Sequence, residues 1–138
     1  MSEIKVDNLT GKTSAGDITV TSEGGAATMQ LQQGLAKAWV NFNGTGTIAI
    51  RDSLGVSGSV DNGTGNYTVN YTNAMSNAEY SISGISTWNT SGTSGSLFAT
   101  ATTNFSTTNQ GMFVYQSNSL FSFVDSHTVC LNVFGDQS

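Results

Sequence analysis

From residue 37 onward, apolar and polar positions alternate in short runs that are broken by glycine and asparagine. Strict alternation over four to eight residues places one set of side chains on each face of a half-buried strand. The pattern predicts strands over 38–42, 47–52, 56–60, 67–71, 80–88, 97–103, 111–117 and 128–134. In the fourth, Tyr67, Val69 and Tyr71 share one face, with Thr68, Asn70 and Thr72 on the other. In the last, Val129, Leu131 and Val133 oppose Cys130, Asn132 and Phe134, so both faces are partly apolar, as in a central strand or one at a subunit contact. Two NGTG words, at 43–46 and 62–65, stand between such runs and predict β-hairpins. So many short strands with tight turns indicate an all-β, antiparallel β-sandwich of jelly-roll-like kind.

The pattern changes before residue 37. Residues 17–21 alternate weakly between glycine-bearing turns. Over 26–38, Leu31, Leu35 and Ala38 recur at i, i+4 and i+7 among good helix formers, which predicts a short helix weakened by Gly34. An extended reading of Met29, Leu31 and Gln33 is also open. Three turns with a single narrow stripe are marginal alone in water, so the segment needs the domain or further copies of itself to pack against. We therefore divide the chain into an N-terminal arm, 1–36, for attachment and oligomerisation, and a β-sandwich knob, 37–138.

Composition narrows what such a sandwich does. Only 9% of the 138 residues are charged, roughly half are Ser, Thr, Asn or Gly, and there is no proline. Turns therefore depend on positive φ at glycine and asparagine rather than on a preset proline φ. The 37% apolar content, with seven Phe, four Tyr and two Trp, is enough to form a core. The formal charge is −5, and Lys5, Lys12, Lys37 and Arg51 are scattered, so no basic stripe is available for nucleic acid. No apolar run reaches the roughly 18 residues of a membrane-spanning helix. The start, MSEIKVDNLTG, has no signal-peptide core, which predicts synthesis in the cytoplasm without membrane insertion. Cys130 is alone and forms no intrachain disulfide.

Catalytic chemistry finds little support. Asp125, Ser126 and His127 crowd together, but a Ser-His-Asp triad converges from separate segments, whereas neighbours on a strand point to opposite faces. Asp125 and His127 share a face at i, i+2, as a hydrogen-bonded pair or weak metal site would, yet one His with no Cys or His partner is a poor ligand set. We read the trio as a polar turn before the last strand. Gly11-Lys12-Thr13 imitates the end of a phosphate-binding loop, but Val6 stands where its first glycine belongs. No acid pair is in a recognisable glycosidase setting. No catalytic, cofactor or metal residues are assigned, and the chain is read as non-enzymatic.

Recognition is expected on loops held by the scaffold. The segments 87–95 and 104–110 are polar and small, and Trp88, Asn89, Thr90, Ser91, Asn104, Phe105 and Asn109 are the candidate receptor contacts. Flanking aromatics, Phe98 and Phe113 among them, are candidate rim residues, although most aromatics of a small domain belong to its core.

The run KAWVNFNGTGTIAIRD at 37–52, followed by DNGTGNYTVNYTNAMSNAEY at 61–80, resembles a module of tail-fibre and related virion proteins of marine bacteriophages, cyanophages included. The resemblance spans roughly residues 30–84. It implies a homotrimeric, β-rich virion appendage at the host-contacting end. Its partners would be its own copies, other virion proteins through the N-terminal arm, and a host-surface glycan or protein. Met29, Leu31 and Leu35 are then the candidate trimer contacts, and capsid decoration, in a head fibre that clamps shell subunits, is the alternative role.

Overall fold

A computed structural model describes residues 3–13, 18–25, 27–87, 96–99, 105–116 and 122–138, with the backbone alone at 96–99 and 116. The described residues form ten β-strands and no helix. By contacts the chain separates into two compact units, residues 1–35 and 36–138.

The first unit contains a single hairpin. Strand β1 (Thr19–Thr21) pairs antiparallel with β2 (Thr28–Gln30), Val20 opposite Met29. The Ser22 N–H donates to the Ala27 carbonyl at 2.8 Å to close the turn, and the Leu31 N–H donates to the Ile18 carbonyl at 2.7 Å to extend the pairing. Residues 31–35 then form turns. This corrects the expected helix over 26–38. A short helix with one narrow stripe and an internal glycine does not offset its nucleation cost, whereas an extended 28–30 gains ladder hydrogen bonds from the β-branched strand beside it. The stripe through Leu31 and Leu35 exists only on a helix and so is not built. Leu31 is half-buried, while Met29 and Leu35 are exposed.

The second unit is built from β3 (Ala38–Asn43), β4 (Ala49–Leu54), β5 (Val56–Gly63), β6 (Asn66–Tyr71), β7 (Ser81–Thr87), β8 (Ser96–Ala99), β9 (Asn109–Gln116) and β10 (Thr128–Phe134). They form two four-stranded sheets in the orders β4-β3-β10-β7 and β5-β6-β9-β8, with every pairing antiparallel. Both NGTG words fall in hairpins, β3–β4 and β5–β6, and the long strands stand close to where the alternation puts them. Strand β8 ends at Ala99, and the rest of the expected run, 100–103, lies outside the described residues.

One core joins the sheets. Val40, Phe42, Val129, Leu131 and Val133 face it from the first sheet, and Tyr67, Val69, Met112 and Val114 from the second, all at most 1% exposed. Full burial of such a side chain contributes about 1.5–3 kcal/mol. The rings of Phe42 and Tyr67 meet edge to face across the sheets, with centroids 5.2 Å apart. The unit is thus an antiparallel β-sandwich, as the alternation indicated.

Candidate functional site

The two NGTG turns begin alike. In the first, the Thr45 N–H donates to the Asn43 carboxamide oxygen at 3.2 Å; in the second, the Gly63 N–H donates to the Asp61 carboxylate at 2.9 Å. Such local bonds fold the chain back without a partner strand. The final glycine of each word, Gly46 or Gly65, takes a left-handed φ of +64° or +61°.

Both turns are then fastened to the segment before β10. The Gly44 N–H donates to the Ser126 carbonyl at 2.9 Å, and the Gly65 N–H to the Asp125 carboxylate at 2.8 Å. The Tyr67 hydroxyl lies 2.9 Å from both the Gly44 carbonyl and the same Asp125 oxygen, so one proton serves two acceptors. Burial first, then the adjacent Asp125 carboxylate, push the Tyr67 pKa well above its ordinary value. A side chain at Gly44 would place its Cβ 2.5 Å from the Tyr67 hydroxyl, and one at Gly65 2.6 Å from the Val114 carbonyl. Asp125 is therefore a clasp on the second hairpin, while the Ser126 carbonyl and the Tyr67 hydroxyl hold the first.

Ser126 is fully buried, and its hydroxyl has no hydrogen-bond partner among the described residues. His127 is exposed beside Arg51, whose guanidinium donates to the His127 carbonyl at 2.6 Å and lies 3.2 Å from the ring Nδ1. Arg51 also donates to the Asn41 side chain at 3.1 Å and the Phe42 carbonyl at 3.2 Å. The face expected to be shared by Asp125 and His127 is not formed, because Asp125 is committed to Gly65 and Tyr67 and His127 to Arg51. Cys130 is half-buried, and burial raises its thiol pKa although Arg51 opposes the shift. A thiol so held is a weak nucleophile. Among the described residues no three His, Cys, Asp or Glu side chains are grouped as metal ligands.

Of the candidate receptor contacts, Trp88, Asn89, Thr90, Ser91 and Asn104 lie outside the described residues. Phe105 packs against the core, its ring 5.2 Å from that of Tyr80. Together with Ala78, Glu79 and Tyr80 it lines a shallow, open depression. The Asn109 carbonyl accepts from the Tyr80 hydroxyl at 3.1 Å, as does the Gln110 side chain at 2.9 Å. The described contacts of both residues are thus part of the framework.

A different aromatic group emerges on the outer face of the second sheet. Phe113 and Tyr115, two apart on β9, point away from the core that Met112 and Val114 enter. Phe123 pairs across from Tyr115, stacks on its ring at 4.7 Å and lies 5.4 Å from the ring of Phe113. Phe123 remains 47% exposed. The alternation of 112–115 signalled the first two residues, but nothing local announced the third. Compared with known proteins, the chain matches no family model, no curated protein and no solved structure.

Proposed function

We propose that the chain is a non-enzymatic structural protein of a bacteriophage virion, a tail-fibre-like module that assembles as a homotrimer and takes part in binding the host surface. One observation carries the reading. The KAWVNFNGTGT and DNGTG segments, on which the resemblance to marine phage modules rests, fall in the two hairpins that Asp125, Ser126 and Tyr67 fasten together. A framework locked in this way leaves other loops and outer faces free to differ, which suits an appendage with a constant scaffold and a variable recognition surface. The low charge and the many hydroxyl and amide groups suit an obligate oligomer with little self-repulsion.

The first unit supports attachment at the N-terminal side. Ile4, Val6, Leu9, Met29 and Leu35 are each more than half exposed, an apolar surface of the kind that a virion partner or sister copies would cover. Antibody raised against the purified protein should label the tails of the phage that encodes it and reduce adsorption. Label confined to heads, with adsorption unchanged, would transfer the protein to capsid decoration. Virions without any label would end both readings.

A further inference from the structure

We infer that the outer face of the β5-β6-β9-β8 sheet is a binding site for an uncharged glycan, centred on Phe113, Tyr115 and Phe123. This rests on the host-binding reading above and moves its contact surface from the loops to a sheet face. The three rings form a contiguous cluster, Tyr115 stacked on Phe123 at 28° and Phe113 tilted by 45° to Phe123 and 52° to Tyr115, and the exposed part of Phe123 is the ring surface left to a ligand. A ring face is apolar and bears the negative side of the aromatic quadrupole, so it suits the C–H face of a pyranose. Polar groups to fix the sugar's orientation stand alongside. Asn66 is directly opposite Phe113, and Thr68 and Asn70 continue the same outward row on β6. The Asn66 amide, half-buried beside Phe113, has no hydrogen-bond partner among the described residues. An aromatic floor with a few convergent amides and hydroxyls is the composition of a site that orients a polyhydroxylated ligand.

Charge selects the class of glycan. Lys5 and Lys12 belong to the first unit, Lys37 precedes β3, and Arg51 lies on β4, so the second sheet contains no cation. Its face therefore offers nothing to a sulfate, phosphate or uronate, and the chain's net −5 repels them. A second copy of the chain is the competing occupant, but the free Asn66 amide beside the rings favours a ligand with many hydroxyl groups.

The test uses the full chain against immobilised dextran, mannan and galactan, with alginate and a sulfated galactan as acidic counterparts. Retention on at least one uncharged polymer is expected. Phe123→Ala should weaken it at least tenfold without moving the thermal transition, Phe123→Tyr should keep it, and Phe123→Leu, apolar but without a π face, should lose it. No retention, retention on acidic polymers alone, or equal retention of Phe123→Ala would overturn the site. So would a Phe123→Ala protein whose oligomeric state changes while glycan retention does not. Adsorption assays separate this inference from the reading beneath it. If wild type and Phe123→Ala block phage adsorption equally, host binding stands and the platform falls. If the platform binds glycan in a protein that labels no virion, the platform stands and the virion reading falls.

Discussion

Hairpins β1–β2 and β5–β6 are made of similar material, apolar and small polar residues around a turn with a left-handed glycine, Gly25 at φ +69° or Gly65 at +61°. Their side chains fare differently. Val20 and Met29 of the first are 43% and 56% exposed, whereas Tyr67 and Val69 of the second are 0% exposed. Strand β6 has a neighbour on each side and a second sheet across the core, while among the described residues β1 and β2 pair only with each other. An isolated two-stranded hairpin is marginal in water, and three or more strands with a covered face are not. Alternation prepares a strand for a partner layer, and stability comes only where that layer exists.

The largest break in this contrast should come from the layer itself. Phe42→Ala removes the ring that meets Tyr67 across the sheets and should cost about 3–5 kcal/mol in urea unfolding. A cost below about 1 kcal/mol would mean that the two sheets do not depend on each other at this point. Next come the turns. Gly65→Ala combines a left-handed backbone with close contacts to Val114 and Val124 and should cost about 2–4 kcal/mol. Gly46→Ala, at a similar φ with nothing within 4 Å of the new Cβ, should cost only about 1–2 kcal/mol. Equal values would show that backbone conformation, rather than the clasp, sets the requirement at Gly65.

Alkali should act on the second unit through its buried tyrosines. Burial first, with Asp125 beside Tyr67 and Tyr80 beside Tyr71, raises both pKa values above the unfolded value of 10.0. The protonated forms are therefore favoured in the folded state. Their contribution is complete below pH 10 and is lost as pH rises above it, at about 1.4 kcal/mol per pH unit for each tyrosine. Denaturant melts from pH 9 to 11 check this, and either Tyr→Phe variant should flatten the fall. At neutral pH the two differ. Tyr67→Phe leaves the Gly44 carbonyl and Asp125 short of a donor and should cost about 1–2 kcal/mol, whereas Tyr71, whose buried hydroxyl has no hydrogen-bond partner among the described residues, should tolerate Phe at little cost.

The smallest effect on folding is expected in the first unit. Met29→Ser should change the unfolding free energy by less than about 0.5 kcal/mol, since its side chain is already in water. Sedimentation should nonetheless show weaker self-association if sister copies cover this surface. An unchanged oligomer would remove Met29 from the interface.

Much of the sandwich was legible before folding. Strands β6 and β10 stand where the alternation of 67–71 and 128–134 put them, and both NGTG words became hairpin turns. Helix and extended chain were both open over 26–38, because the narrow stripe of Leu31, Leu35 and Ala38 fits a turn-rich segment as well, and the neighbouring Thr19–Thr21 strand decided between them. The role of Asp125 was equally hidden. Its partners, Tyr67 and Gly65, are 58 and 60 residues away, and its neighbours in sequence suggested chemistry that the geometry does not assemble.

By itself the sequence determined which residues face in or out along β6 and β10 and where the chain reverses, because strand period and left-handed glycine turns are properties of a few adjacent residues. Only the tertiary structure decided which strands became neighbours, that Asp125 and Ser126 would fasten the two NGTG turns, and that Phe123 would complete an aromatic cluster begun by Phe113 and Tyr115. Those outcomes depend on contacts between residues distant in the chain, whose energies no local pattern encodes.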